Sequence, residues 1–173
     1  MYDRFYPGKP WLDTNGNRIQ AHGGSVIAID DTFYWYGENK EFTDGTNGIW
    51  TWGVRCYRSK DLYNWEDCGL IIAPEPDDPD SPLNPYKAMM DRPHIIYNRF
   101  TKKYVCWMKV MRNDGTQTET VMTADHILGP YQLARKDLRP LGMDAAILIW
   151  WSRRTARAII TSSGSTARPS ARI

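Results

Sequence analysis

Ser25-Val26-Ile27-Ala28-Ile29-Asp30-Asp31-Thr32-Phe33-Tyr34-Trp35-Tyr36 decides the fold. Residues 25–29 are apolar and partly β-branched. Residues 32–36 are aromatic, and Asp30-Asp31 between them is a turn signal. Two β-prone runs joined by two turn-forming residues predict a hairpin. Reading onward, residues 39–48 form a polar, glycine-containing loop. Residues 51–58 predict a third strand, with alternation placing Trp52, Val54 and Cys56 on one face. Residues 59–63 are a turn and 64–72 a fourth strand. Residues 74–85 then hold five prolines, at 74, 76, 79, 82 and 85. Proline cannot donate to a β-ladder, so this segment predicts a surface loop.

The pattern restarts beyond it. Strands are expected at 93–97, 103–111, 119–124 and 131–134, with turns at 98–102 and 112–115. Asp61-Leu62-Tyr63-Asn64-Trp65 has a counterpart in Asp125-His126-Ile127-Leu128-Gly129-Pro130-Tyr131, about 64 residues later. That exceeds the roughly 40–50 residues of common propeller repeats, and the proline-rich loop accounts for the excess. Two four-stranded antiparallel units in tandem fit propeller blades. Eight strands also fit a sandwich. The fold class is all-β on either reading.

Composition bounds the function. The 173 residues are 42% hydrophobic and 24% charged, as in globular proteins. A net charge of +2 gives no reason to expect nucleic acid or an acidic membrane surface. No apolar run approaches the roughly 20 residues of a membrane helix. Residues 1–10 lack an apolar leader core, so the chain is expected to be intracellular unless a leader was lost. Oligomeric state is not legible. Cys56, Cys68 and Cys106 form no CxxC pair, so reduced thiols are expected and no zinc site. Eight Trp and ten Tyr are many for this length. Sheet and core positions absorb most such rings. Their flat faces also suit the apolar face of a sugar.

After Asp144 the chain changes character. Residues 145–173 contain no Asp or Glu but carry Arg153, Arg154, Arg157, Arg168 and Arg172. Alternation disappears, and only 147–151 still looks strand-like. The segment is read as an aberrant tail, from a shifted reading frame in preference to a disordered basic extension. The expected division is therefore 1–144, two blades, and 145–173, the tail.

Four motifs occur in order. They are Asp13-Thr14-Asn15-Gly16-Asn17-Arg18-Ile19-Gln20-Ala21-His22-Gly23-Gly24, then Tyr34-Trp35-Tyr36-Gly37-Glu38, then Asp91-Arg92-Pro93-His94-Ile95-Ile96-Tyr97-Asn98, then Thr101-Lys102-Lys103-Tyr104-Val105-Cys106-Trp107. Together they resemble the family 43 glycoside hydrolases, in the branch of exo-β-1,3-galactanases, over residues 11 to about 144. The resemblance implies a five-bladed β-propeller whose innermost strands line a central sugar pocket. It implies an Asp base on the first blade, a tuning Asp on the third and a Glu acid on a later one, placed for inversion. Here Gly23 stands where that base is expected, as in the galactanase branch. Asp144 lies two positions too early for the tuning Asp, and the acid is not found. No catalytic residue is therefore assigned, and the chain alone is expected to be inactive. The alternative is a carbohydrate-binding propeller fragment without catalysis. No cofactor is expected. A channel calcium ion, present in some relatives, is not derivable from these residues.

The candidate substrate-binding residues are His22, Gly23, Glu38, Trp50, Trp52, Asp91 and Arg92. Glu38 and Asp91 are read as acceptors for sugar hydroxyls, Asp91 in place of the branch's usual Glu. Arg92 carries five fixed donors and braces a carboxylate. His22 precedes two glycines that let backbone approach a ligand. Trp50 and Trp52 follow the glycine-containing loop, and one of them is read as a stacking wall. His94 and His126 are read as structural. The ligand expected is an oligo- or polysaccharide, with galactose first and arabinose or xylose next.

Overall fold

The structure, a computed structural model, describes residues 1–139. The expected boundary at 144, Asp144 itself, the strand-like run at 147–151 and the tail lie outside the described residues. Eight strands occur: β1 His22–Ile29, β2 Thr32–Glu38, β3 Val54–Ser59, β4 Glu66–Ile72, β5 Ala88–Asn98, β6 Lys103–Arg112, β7 Gln117–Ala124 and β8 Gln132–Leu138. They form two four-stranded sheets of orders β1-β2-β3-β4 and β5-β6-β7-β8, each neighbouring pair antiparallel. Each sheet is a meander, which needs only short connections. The β1–β2 turn is the expected one. Ile29 faces Thr32 across it, and Asp30 adopts φ 51°, a conformation Asp tolerates better than most residues.

Alternation on β2 divides its aromatic run. Tyr34 and Tyr36 point into the core between the sheets, with Val54, Cys56, Ile95, Cys106, Met108 and Met122. Trp35 points the other way, against Trp11 at 4.8 Å and Trp65 at 5.3 Å between ring centroids. The aromatic run of β2 is thus structural. Cys56 and Cys106 are buried free thiols, and burial pushes both up in pKa.

Three departures from the sequence reading matter for the site. Strand β3 begins at Val54 rather than residue 51, because Gly53 at φ 80° breaks the pleat. Trp52 therefore sits in the preceding loop and is not part of the Val54–Cys56 alternation. Strand β5 begins at Ala88, five residues before Pro93. Its register slips between Asp91 and His94, and Arg92 adopts φ 49°. The proline lies in that bulge, where a strand tolerates a missing donor. The third departure is the proline-rich loop, which is exposed only over 75–80. Residues 81–85 are buried, and the Asn84 amide donates to the carbonyls of Pro76 and Asp78. That side chain supplies partners water would otherwise provide.

Strand β5 is tied to the first sheet by specific bonds. The Tyr36 hydroxyl accepts from Ile95 N–H at 2.9 Å and donates to its carbonyl at 3.4 Å. The Thr51 hydroxyl donates to the Met90 carbonyl at 2.6 Å. The third tie is Glu38.

Candidate functional site

Three backbone features meet at one end of the sheets: the start of β1, the end of β2 and the bulge of β5. His22 is paired with Glu38, and the β1 register slips between His22 and Ser25. Gly23, inside that slip, has φ 59°. A Cβ on it would lie 2.6 Å from Glu38 Oε1 and 3.8 Å from Arg92 Cγ. A Cβ on Gly24 would overlap the Tyr36 carbonyl oxygen, at 1.7 Å. The two glycines therefore let β1 pass directly over Glu38. The space that any side chain at position 23 would enter already holds the Glu38 carboxylate. This is the physical reason for glycine where an Asp base was expected.

Glu38 is fully buried. Its Oε1 accepts the Arg92 backbone N–H at 3.0 Å. Its Oε2 lies 2.6 Å from Lys40 Nζ and 3.4 Å from His22 Nδ1, and has no well-aligned hydrogen bond. Burial and a hydrogen bond shared with the Asp91 carboxyl push the Glu38 pKa up. The Arg92 N–H and Lys40 pull it partly back. Arg92 holds its positive φ while its amide serves Glu38. A non-glycine residue in that conformation stores strain, which surrounding contacts must over-determine.

The structure brings His22, Gly23, Glu38, Asp91 and Arg92 together. The bracing of Glu38 comes from the Arg92 backbone rather than its guanidinium, whose Nε stands 3.9 Å from Asp91 Oδ2. Glu38 itself offers no surface. The Asp91 side chain is 19% exposed, that of Arg92 50% and that of His22 64%, so these three are polar groups a ligand would meet. Trp50 joins through Lys40, whose ammonium lies 3.8 Å from the centre of its ring. Trp52 faces elsewhere, packing edge-on against Phe42 at 5.1 Å and Tyr86 at 6.1 Å. Sequence reading missed Lys40. Its signal was the spacing of two from Glu38 at a strand end, which places both side chains on one face. Among the described residues no group of three or more His, Cys, Asp or Glu side chains is arranged to hold a metal ion.

No family model matches the chain, and no curated protein does. Solved structures do. A family 43 β-1,3-galactosidase is 37% identical, with a TM-score of 0.68, over 81% of this chain and 29% of its own. An exo-β-1,3-galactanase from Phanerochaete chrysosporium, solved with galactose, is 33% identical, with a TM-score of 0.68, over 79% and 30%. One from Clostridium thermocellum is 34% identical, with a TM-score of 0.63, over 77% and 27%. Fold and sequence thus agree, and the chain belongs to glycoside hydrolase family 43. The paired sheets are propeller blades and not a sandwich. Within the family the likeness falls among the β-1,3-galactosidases and exo-β-1,3-galactanases. The chain spans about three tenths of the length of these relatives.

Proposed function

We propose that the chain carries the sugar-recognition side of a glycosidase acting on β-linked galactan. The observation that supports this best is the convergence of Asp91, His22 and buried Glu38 beside the exposed Trp50. A carboxylate and an imidazole can exchange hydrogen bonds with vicinal sugar hydroxyls, and an exposed aromatic face nearby suits the apolar face of a saccharide. Glu38 acts from beneath. It fixes the bulge through the Arg92 N–H and stands against the Asp91 carboxyl. Inverting hydrolysis needs an acid and a base across the anomeric carbon, with room for water. The described residues supply neither in a recognisable place, so binding without turnover is the expected behaviour of these 173 residues. No cofactor enters this reading.

The test is direct. The chain is incubated with β-1,3-galactan and released galactose is measured, while galactose binding is followed by titration calorimetry. Binding without release is the expected result. Clear turnover would sink the claim that the chain lacks its own acid and base. Absence of binding at millimolar sugar would sink the recognition site. The second reading, a purely carbohydrate-binding protein, is favoured by the crowding at Gly23. It predicts that completing the chain with the remaining length of its relatives leaves galactan uncut.

A further inference from the structure

Lys40 makes three contacts at once. Its ammonium lies 2.6 Å from Glu38 Oε2, donates to the Trp50 carbonyl at 2.7 Å and sits 3.8 Å from the centre of the Trp50 ring. The Thr43 hydroxyl donates to the same carbonyl at 3.0 Å. The Lys40 side chain is only 19% exposed, whereas Trp50 is 40% exposed. One face of the indole is therefore taken by the cation, and its other surface is left open. A lysine gains from such a position because the ring's negative face attracts it, and more so when partly desolvated.

This arrangement has a geometric consequence. The ammonium lies between the indole and the carboxylate. A sugar on the open face of the ring is a further layer out. It is then beyond the ~3 Å of a hydrogen bond to Glu38. The open face of the indole is thus a place apart from the Glu38 carboxylate. We infer that Lys40 is a positioning residue that holds Trp50 as the stacking surface for a second sugar unit, next to the one received at Asp91 and His22. The site then takes a saccharide chain of at least two units. This rests on the recognition reading above.

Two measurements test it on the full chain. By NMR without sugar, the Lys40 ε-methylene protons should resonate well upfield of a free lysine, because they lie over the ring. An ordinary lysine position overturns the inference with no variant needed. The second measurement is the ratio of affinities for β-1,3-galactobiose and galactose. The wild type should favour the disaccharide by on the order of tenfold, and W50A and K40M should each lose most of that preference. K40R should keep it. The double variant should be no worse than either single one, as expected of residues acting as a unit. An unchanged ratio in K40M, or additive losses, overturns the role of Lys40. Galactose bound with no preference for the disaccharide overturns the second unit while leaving the recognition site standing. Neither sugar bound by the wild type removes the recognition site and this inference with it. Should K40M fail to fold because Glu38 loses its cation, W50A and the lysine shift still decide.

Discussion

Two charged clusters in the first sheet are built from similar parts and behave in opposite ways. In the first, Arg55 grips Asp67 through two bonds, at 3.0 and 2.7 Å, and reaches Glu41 at 3.0 Å. Both side chains of the main pair keep some contact with water. The Arg55 hydrogen bonds pull the Asp67 pKa down, and Asp67 raises that of Arg55. In the second, Glu38 is fully buried beside a second carboxyl, that of Asp91, and its pKa goes up. The first cluster joins neighbouring strands and costs little to build. The second joins two sheets across a left-handed arginine and a glycine without room for a Cβ. Matched, half-wet charges serve structure. Crowded, dry ones persist where the surroundings hold them, and such places are candidate sites.

That contrast can be broken by mutation. Glu38→Ala removes the partner of a largely buried ammonium and of the Arg92 N–H. It should cost about 3–5 kcal/mol, the cost typical of a broken buried pair. Urea unfolding, compared at constant m-value, reads it. A loss under 1 kcal/mol would mean that Glu38 is as dispensable as a surface charge. Gly23→Ala should cost about 2–3 kcal/mol, from a disfavoured φ and the collision with Glu38 Oε1. In Gly23→Ala/Glu38→Ala the collision disappears, so the two losses should not add. Tyr36→Phe deletes both bonds to Ile95 and should cost about 1–3 kcal/mol. Asp67→Asn should cost only about 1 kcal/mol, since its partner stays partly solvated and retains Glu41.

The subtlest test uses pH, where the two clusters should pull in opposite directions. A raised carboxyl pKa means that the folded chain holds its proton more tightly than the unfolded one. The Glu38 contribution is therefore full below the ordinary glutamate value of about 4.3 and is lost as pH rises through its higher folded value. Asp67, with a lowered pKa, contributes above the ordinary aspartate value of about 3.9, and its share is lost as pH falls. Stability measured from pH 3 to 8 should lose its decline above the glutamate range in Glu38→Gln. In Asp67→Asn it should lose part of its acid sensitivity instead. The same sign of change in both variants would erase the distinction.

Much of the fold was legible because its signals are local. Two short apolar or aromatic runs around Asp30-Asp31 can hardly avoid a hairpin. The repeat of Asp61–Trp65 in Asp125–Tyr131 marks equivalent places, since Trp65 and Tyr131 both lie buried just before the last strand of their sheets. The site was legible in part. His22, Gly23, Glu38, Asp91 and Arg92 were named from motifs, and the structure puts them in one place. Their tasks were not legible. Arg92 pairs its guanidinium with Asp91 and also offers its amide to Glu38, and Glu38 lies beneath the surface. Trp52 turns to Phe42 and Tyr86, because Gly53 interrupts the alternation that grouped it with Val54.

The sequence by itself determined the strands, their order, the two-unit repeat and, through motifs in series, the family. Each of these depends on residues close together in the chain. Only the tertiary structure decided that Glu38 meets Arg92 across 54 positions, that Gly23 yields its space to that carboxylate, and that Lys40 stands between Glu38 and Trp50. Those facts follow from how two sheets pack and where their bulges fall, and no local pattern carries them. A carboxylate's charge, partners and reach depend on what surrounds it in space, so its role had to wait for the fold.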